Sequence, residues 1–309
     1  MYKVAHDYQA LINQIIDQQK VAADHGQIAS YIPELSRVKA SKLGIHLVTI
    51  DKQHFKAGDS NEKFSIQSIA KLLSLILAFK EQGNQLWSRV GVEPSGTGFN
   101  SLVQLEYEQG IPRNPFINAG AIVICDVLIS CFNHPKQALL RFVRNISGNQ
   151  DISFNGIIAQ SEKKLGYKNI ALINLMKAFG NIHNDIDTVL DVYFHLCSIE
   201  MTCHELAVAF LFLASNGVNP LTNEQVLDHS QTKRINAILQ LCGFYDEAGE
   251  FSFKVGLPAK SGVGGGIIAI HPKKYSVAVW SPKLNSKGNS LKGMKILEQL
   301  TSTTQSSIF

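Results

Sequence analysis

Ser68 and Lys71 stand three positions apart in Phe64-Ser65-Ile66-Gln67-Ser68-Ile69-Ala70-Lys71, where a strand pattern turns into a helix pattern. On a helix that spacing puts both side chains on one face, about one turn apart. A serine hydroxyl is a poor nucleophile until a base takes its proton. A lysine is such a base once desolvation or crowding by charge makes it give up its own proton. The ordinary alternative is a helix-capping serine beside a solvated lysine, and Ser161-Glu162-Lys163-Lys164 shows that the spacing also arises by chance. The helix that follows favours chemistry. Leu72, Leu73, Leu75, Ile76, Leu77, Ala78 and Phe79 are apolar nearly all round, which predicts a central buried helix. Lys71 is carried inside with it, where a charge needs a partner or a shifted pKa.

A second stretch, Ala259-Lys260-Ser261-Gly262-Val263-Gly264-Gly265-Gly266, opens a strand near the C-terminus. It matches neither phosphate-binding glycine pattern, and a strand rather than a helix follows it. A glycine-rich bulge is the plain reading. The other reading pairs Lys260-Ser261-Gly262 with the K-T-G signature that accompanies S-x-x-K in class A β-lactamases and penicillin-binding proteins. There, small residues let a substrate lie along the strand edge, and a backbone N–H joins that of the serine in an oxyanion hole. The order of the two stretches, with a long helical region between them, favours this reading. Ser153-Phe154-Asn155 matches the S-x-N element by letters only. A Ser-His-Asp scheme is the rival, but no G-x-S-x-G exists. His46, His54, His195, His204 and His271 each read as surface or satisfied core histidines.

The elements that must position these residues follow from pattern. Met1–Lys20 reads as an amphipathic helix and Gly44–Asp51 as a strand. The Ser68 helix stops near Gly83, and Gly91–Pro115 is a long loop of the kind that is often functional. Helices are expected at Asn118–Phe132, Pro135–Asn145, Asn155–Leu165, Ile170–Phe179, Asp185–Cys197, Cys203–Asn216 and Asn223–Cys242. Phe251–Val255, Val263–Ile270 and Tyr275–Ser281 read as a three-stranded meander, Ser290–Leu300 as a last helix, and Thr301–Ser307 as a fraying tail. Sheet elements thus bracket a helical insert. The expected fold is α/β (α+β): an antiparallel sheet flanked by helices, built from residues 1–67 and 218–309, plus an all-helical lobe of 68–217, with the site at the seam.

Bulk properties exclude several classes. The net charge of +4 in 309 residues, without a Lys/Arg block, gives no nucleic-acid surface. The most apolar windows, Leu72–Phe79 and Ala207–Ala214, are too short to span a bilayer. Five cysteines without C-x-x-C, and a start lacking a secretory pattern, fit reduced core thiols in the cytoplasm. No metal or cofactor motif is present, and none is expected.

The chain resembles the bacterial-type serine-dependent glutaminases, which share a β-lactamase-like fold. The resemblance covers nearly the whole chain. It is carried by Ala29–Pro33, Phe64–Lys71, Gly91–Gln104, Asn114–Ile122, Ser161-Glu162, Lys168-Asn169, Tyr193-Phe194 with Cys197-Ser198, Cys242–Asp246 and Lys260–Ile267. Ala70 stands where a small polar residue is expected, and Phe244 where Met is. The resemblance implies that Ser68 attacks the side-chain amide of L-glutamine with Lys71 as general base. Tyr245 helps move the proton, and Tyr31 closes over the substrate. The N–H groups of Ser68 and Val263 form the oxyanion hole. Glu162 meets the α-ammonium, and Asn118, Asn169 and Tyr193 surround the α-carboxylate and amide. A buried zwitterion needs such partners on general grounds, although each of these residues alone would pass as structural. Homodimers or homotetramers are the family's assemblies.

Two other functions compete: a penicillin-recognising enzyme, disfavoured by the missing secretory pattern, and a non-catalytic binding protein, disfavoured by Ser68, Lys71 and Lys260 together. Lys260, with Ser261 and Gly262, is a supporting residue. Its expected role is a second positive charge that favours neutral Lys71.

Overall fold

The structure, a computed structural model, describes residues 7–96, 98 and 101–309. The first residues of the expected N-terminal helix and Thr97, Phe99 and Asn100 of the long loop lie outside the described residues.

Five strands form the main sheet: β1 (Gly44–Thr49), β2 (His54–Gly58), β3 (Ala259–Ser261), β4 (Gly266–His271) and β5 (Tyr275–Trp280). They lie in the order β2-β1-β5-β4-β3, antiparallel throughout. Every residue of β4 and β5 is buried, so these strands read as near-continuous apolar runs rather than as an alternation. Helices on both faces are the cause. On one face Ile45, Leu47, Ile267, Val277 and Val279 pack against Ile12 and Ile16 of the Tyr8–Val21 helix and Ile296, Leu297 and Leu300 of the Leu291–Thr304 helix. On the other face Val48, Ile268, Ile270, Ala278 and Trp280 join one apolar core with the helical block.

The Ala70–Gln82 helix runs through that second core, and every residue from Ala70 to Phe79 is buried. It packs against the Asn118–Cys131 helix, which supplies part of the site. Just before it, Phe64–Ser65 pairs with Glu200–Met201, and the Ile66 N–H donates to the Ile199 carbonyl at 3.0 Å. Ser68 follows in a single tight turn, Gln67–Ile69. This short ladder fastens the segment that carries Ser68 to the helical side where it leaves the extended conformation.

Four expectations need correction. Phe251–Val255 is helical, within Ala248–Lys254 and its cap. Phe251 and Val255 are buried while Phe253 is 90 % exposed, so the buried positions are four apart, a helical and not a strand period. The helix expected from Asn223 starts at His229, where Asp228 and Gln231 form a capping box. The Cys203–Asn216 helix is broken at Phe210 into Cys203–Ala209 and Leu211–Ala214. The tail does not fray: the last helix runs to Thr304, and buried Ser306 lies 3.0 Å from the Tyr275 hydroxyl.

Candidate active site

Where the 64–68 segment meets the β3–β4 turn, glycines permit an approach that no other residue allows. A Cβ on Gly262 would stand 2.5 Å from the Ile66 carbonyl oxygen and 3.3 Å from the Ser68 nitrogen. One on Gly264 would stand 2.0 Å from the Ser65 carbonyl oxygen. The glycine run therefore lets the sheet edge pack onto the backbone beside Ser68.

The approach closes one wall of a cavity of about 510 Å³ lined by Ser68, Tyr31, Gln67, Asn118, Glu162, Asn169, Tyr193, Tyr245 and Val263, among others. Lys71 and Lys260 are buried behind it, 1 % and 0 % exposed, and Ser261 is buried beside Lys260. Gln67 and Tyr245 have φ of +47° and +55°. Backbone this unfavourable for side-chain-bearing residues costs about 1–3 kcal/mol each and survives only where the surroundings enforce it.

The charges are arranged asymmetrically. Lys71 Nζ donates to the Asn118 Oδ1 at 2.7 Å and to the Phe116 carbonyl at 3.1 Å. Both acceptors are neutral. Burial depresses its pKa to about 8, against the opposing pull of Cys197 and Glu162. Asn118 passes the contact on, its Nδ2 donating to Asn169 Oδ1 at 3.0 Å. The Tyr245 hydroxyl is hydrogen-bonded to Ser68, yet burial pushes its pKa far up, so the phenol keeps its proton. Glu162, half-way along the Gly156–Leu165 helix, is buried rather than solvated. Its Oε1 lies 2.7 Å from the Tyr31 hydroxyl, which is also 3.1 Å from Gln67 Oε1. Burial raises the Glu162 pKa, while Tyr31, Gln67 and Lys71 hold it back.

Lys260 has backbone and aromatic partners behind the cavity wall. Its Nζ donates to the Ser261 carbonyl at 2.6 Å and the Gly243 carbonyl at 3.1 Å, and stands 4.2 Å from the Tyr245 ring centroid. Burial, then repulsion from Lys71, drives its own pKa well below the lysine range. Repulsion between the two buried ammonium groups disfavours their both being charged, and burial lowers the pKa of each. Lys260 thus contacts the ring of Tyr245 and the backbone two residues before it.

The expected site residues come together. Ser68, Tyr31, Asn118, Glu162, Asn169, Tyr193, Tyr245 and Val263 line one cavity, and Lys71, Lys260, Ser261 and Gly262 back it. Gln67 and Cys197 were missed as individual residues. Gln67 precedes the nucleophile, and its positive φ leaves no mark in the sequence. Cys197 reads as a core thiol, and burial does push its pKa up to about 12, but it also lines the cavity beside Tyr193.

The family model described as Glutaminase matches residues 26–309. The chain belongs to the glutaminase family. Glutaminases are hydrolases acting on the amide C–N bond of glutamine. A glutaminase of Saccharophagus degradans (strain 2-40) is 61 % identical over 305 residues, covering 99 % of each chain. Glutaminase 2 of Escherichia coli (strain K12) is 50 % identical over 301 residues, 97 % of this chain and 98 % of that one. Among solved structures, a probable glutaminase, ybaS, superposes with a TM-score of 0.92 at 32 % identity, covering 99 % of both chains. A probable glutaminase from Bacillus subtilis complexed with 6-diazo-5-oxo-L-norleucine gives 0.89 at 29 % identity, covering 100 % of this chain and 99 % of that one. The fold of this glutaminase is accordingly the β-lactamase-like one: antiparallel sheet, flanking helices and helical insert. Among the described residues, no helix is long and apolar enough to cross a membrane.

Proposed function

We propose that this glutaminase hydrolyses L-glutamine through a covalent γ-glutamyl ester on Ser68. The observation that carries the reading is the placement of a buried lysine with a pKa of about 8 one turn beyond a serine that opens onto the cavity. A base is most effective when its pKa lies near the working pH. Neutral Lys71 takes the Ser68 proton, and Ser68 Oγ adds to the amide carbon. The tetrahedral oxyanion is held by the N–H groups of Ser68 and Val263, which the glycine-lined approach supports as neighbours. The C–N bond breaks, nitrogen takes a proton, and ammonia leaves. Water then attacks the ester, returning Ser68 and releasing glutamate. Tyr245, protonated and bonded to Ser68, holds the hydroxyl, then gives its proton to the leaving nitrogen and takes back the one held by Lys71. Lys260 positions Tyr245.

At the other end of the substrate, Glu162 receives the α-ammonium. Asn169, its oxygen occupied by Asn118, keeps its NH₂ as a donor for the α-carboxylate. Asn118 and Tyr193 complete that end, and Tyr31 covers it while bonded to Glu162. No cofactor takes part in this scheme. Residues 1–67 with 218–309, and residues 68–217, act as one catalytic unit in a cytoplasmic homodimer or homotetramer.

The test is glutamate release from L-glutamine by wild type and Ser68→Ala. Release by wild type, with a loss of roughly 10³-fold or more in the variant, is expected. Equal release by both would overturn the serine mechanism.

A further inference from the structure

Away from the cavity, at the edge of the sheet, three imidazoles converge. His46 lies on β1 and His54 on β2. The register pairs His46 with Lys56 and Val48 with His54, so His46 and His54 are diagonal neighbours on one face. His204 arrives from the Cys203–Ala209 helix, which packs over that face. His46 Nε2 stands 3.0 Å from His54 Nδ1 and 3.2 Å from His204 Nδ1. All three ligand atoms lie within 4.8 Å of one another.

We propose that His46, His54 and His204 form a site for a divalent transition-metal ion of the Zn²⁺ type, with a solvent molecule as fourth ligand. Nitrogens bound 2.0–2.1 Å from a tetrahedral Zn²⁺ are themselves roughly 3.3 Å apart. The observed separations of 3.0 and 3.2 Å are close to that spacing. Burial grades across the cluster: His46 is 2 % exposed, His204 half-buried and His54 exposed, which leaves an open path for an ion and a position for water. The His46 Nδ1 is buried with no hydrogen-bond partner, so Nε2 is the ring's only engaged atom. Lys56 opposes the ion's charge, while Glu205 acts on His204 with the opposite sign. The rival arrangement is a hydrogen-bonded histidine cluster without metal.

An ion here would join the β1–β2 hairpin to the Cys203–Ala209 helix. That helix follows Glu200–Met201, the strand paired with Phe64–Ser65 ahead of the nucleophile. None of the three histidines lines the Ser68 cavity, so the proposed ion is structural.

The experiment is calorimetric titration of the reduced full-length protein with ZnCl₂, for wild type, His54→Asn and His204→Asn, together with Co²⁺ absorption spectra and melting temperatures with and without Zn²⁺. Wild type should take up a single equivalent, rise in melting temperature on binding, and give tetrahedral Co²⁺ bands without thiolate charge transfer. Each variant should lose that equivalent and the metal-dependent rise. His54→Asn, altering an exposed residue, should retain the metal-free melting temperature, so loss of binding there is not loss of fold. Absence of uptake by wild type, retention of the equivalent in His54→Asn, or thiolate bands would each overturn the site.

Discussion

The Asn118–Cys131 helix holds a buried cation at its first residue and a buried anion two turns later. At Asn118 the guest is Lys71, held only by an amide oxygen and a carbonyl. At Asp126, which is 0 % exposed, the partners are of another kind. Arg89 donates to its carboxylate at 2.6 Å, the Asn184 backbone N–H at 2.8 Å, the Asn184 side chain at 2.9 Å and the His183 N–H at 3.2 Å. Burial alone would raise the Asp126 pKa, but the bonds from Asn184, Arg89 and His183 outweigh it and hold it below the carboxylate range. Lys71 lacks such partners and drifts toward neutrality. Similar burial against one helix yields a fixed structural charge where the partners are numerous and include an opposite charge, and a titratable amine where they are few and neutral.

Three substitutions break or sharpen this contrast. Lys71→Met removes the proposed base, and kcat/KM for glutamine should fall roughly 10²–10⁴-fold. Its denaturation free energy should change by no more than ~2 kcal/mol, because only two neutral acceptors lose a donor. A larger loss of stability would make Lys71 a structural charge like Asp126. Asp126→Ala should do the reverse, costing about 3–5 kcal/mol in chemical denaturation by stranding Arg89, with turnover per folded molecule kept. Activity falling as far as in Lys71→Met would erase the distinction. The smallest effect concerns pH. Lys71 acts in its neutral form, so kcat/KM should fall as pH drops through about 8. Lys260→Met should leave that limb within about half a unit while lowering kcat through a displaced Tyr245. A limb that moves further would restore Lys260 as the charge tuning Lys71.

Much of the site was readable because its chemistry is local. Ser68 and Lys71 share one turn, Lys260–Gly262 are consecutive, and the run Leu72–Phe79 announces its burial by composition. What escaped depends on distant partners. Nothing near Glu162 in the sequence foretells Tyr31, 131 positions away, so with Lys163 and Lys164 beside it a solvated face was the natural reading of its neighbourhood. The contacts of Lys260 with the Gly243 carbonyl and the Tyr245 ring likewise join positions that the sequence keeps apart. The histidines at 46, 54 and 204 meet through strand register and helix packing, and each is unremarked in its own neighbourhood. The misread strand at Phe251–Val255 had a usable signal in its spacing of four, hidden because Phe253, though apolar, is exposed. The Asp228–Gln231 capping box was likewise present in the letters.

The glycine-lined approach also has a mechanical consequence. With Gly262 and Gly264 seated against the carbonyls of Ile66 and Ser65, and Ile66 bonded to Ile199 on the other side, the segment leading into Ser68 is gripped from both flanks. Ser68 has no independent freedom to retreat. Any widening of the cavity to admit glutamine or discharge glutamate therefore falls to the opposite wall. There Tyr31 is 46 % exposed and Tyr167 73 % exposed, and Glu162 and Asn169 lie on successive short helices joined at Gly166. The more exposed wall is thus the one proposed to receive the amino-acid end of glutamine, and the wall that carries Ser68 is the more tightly held.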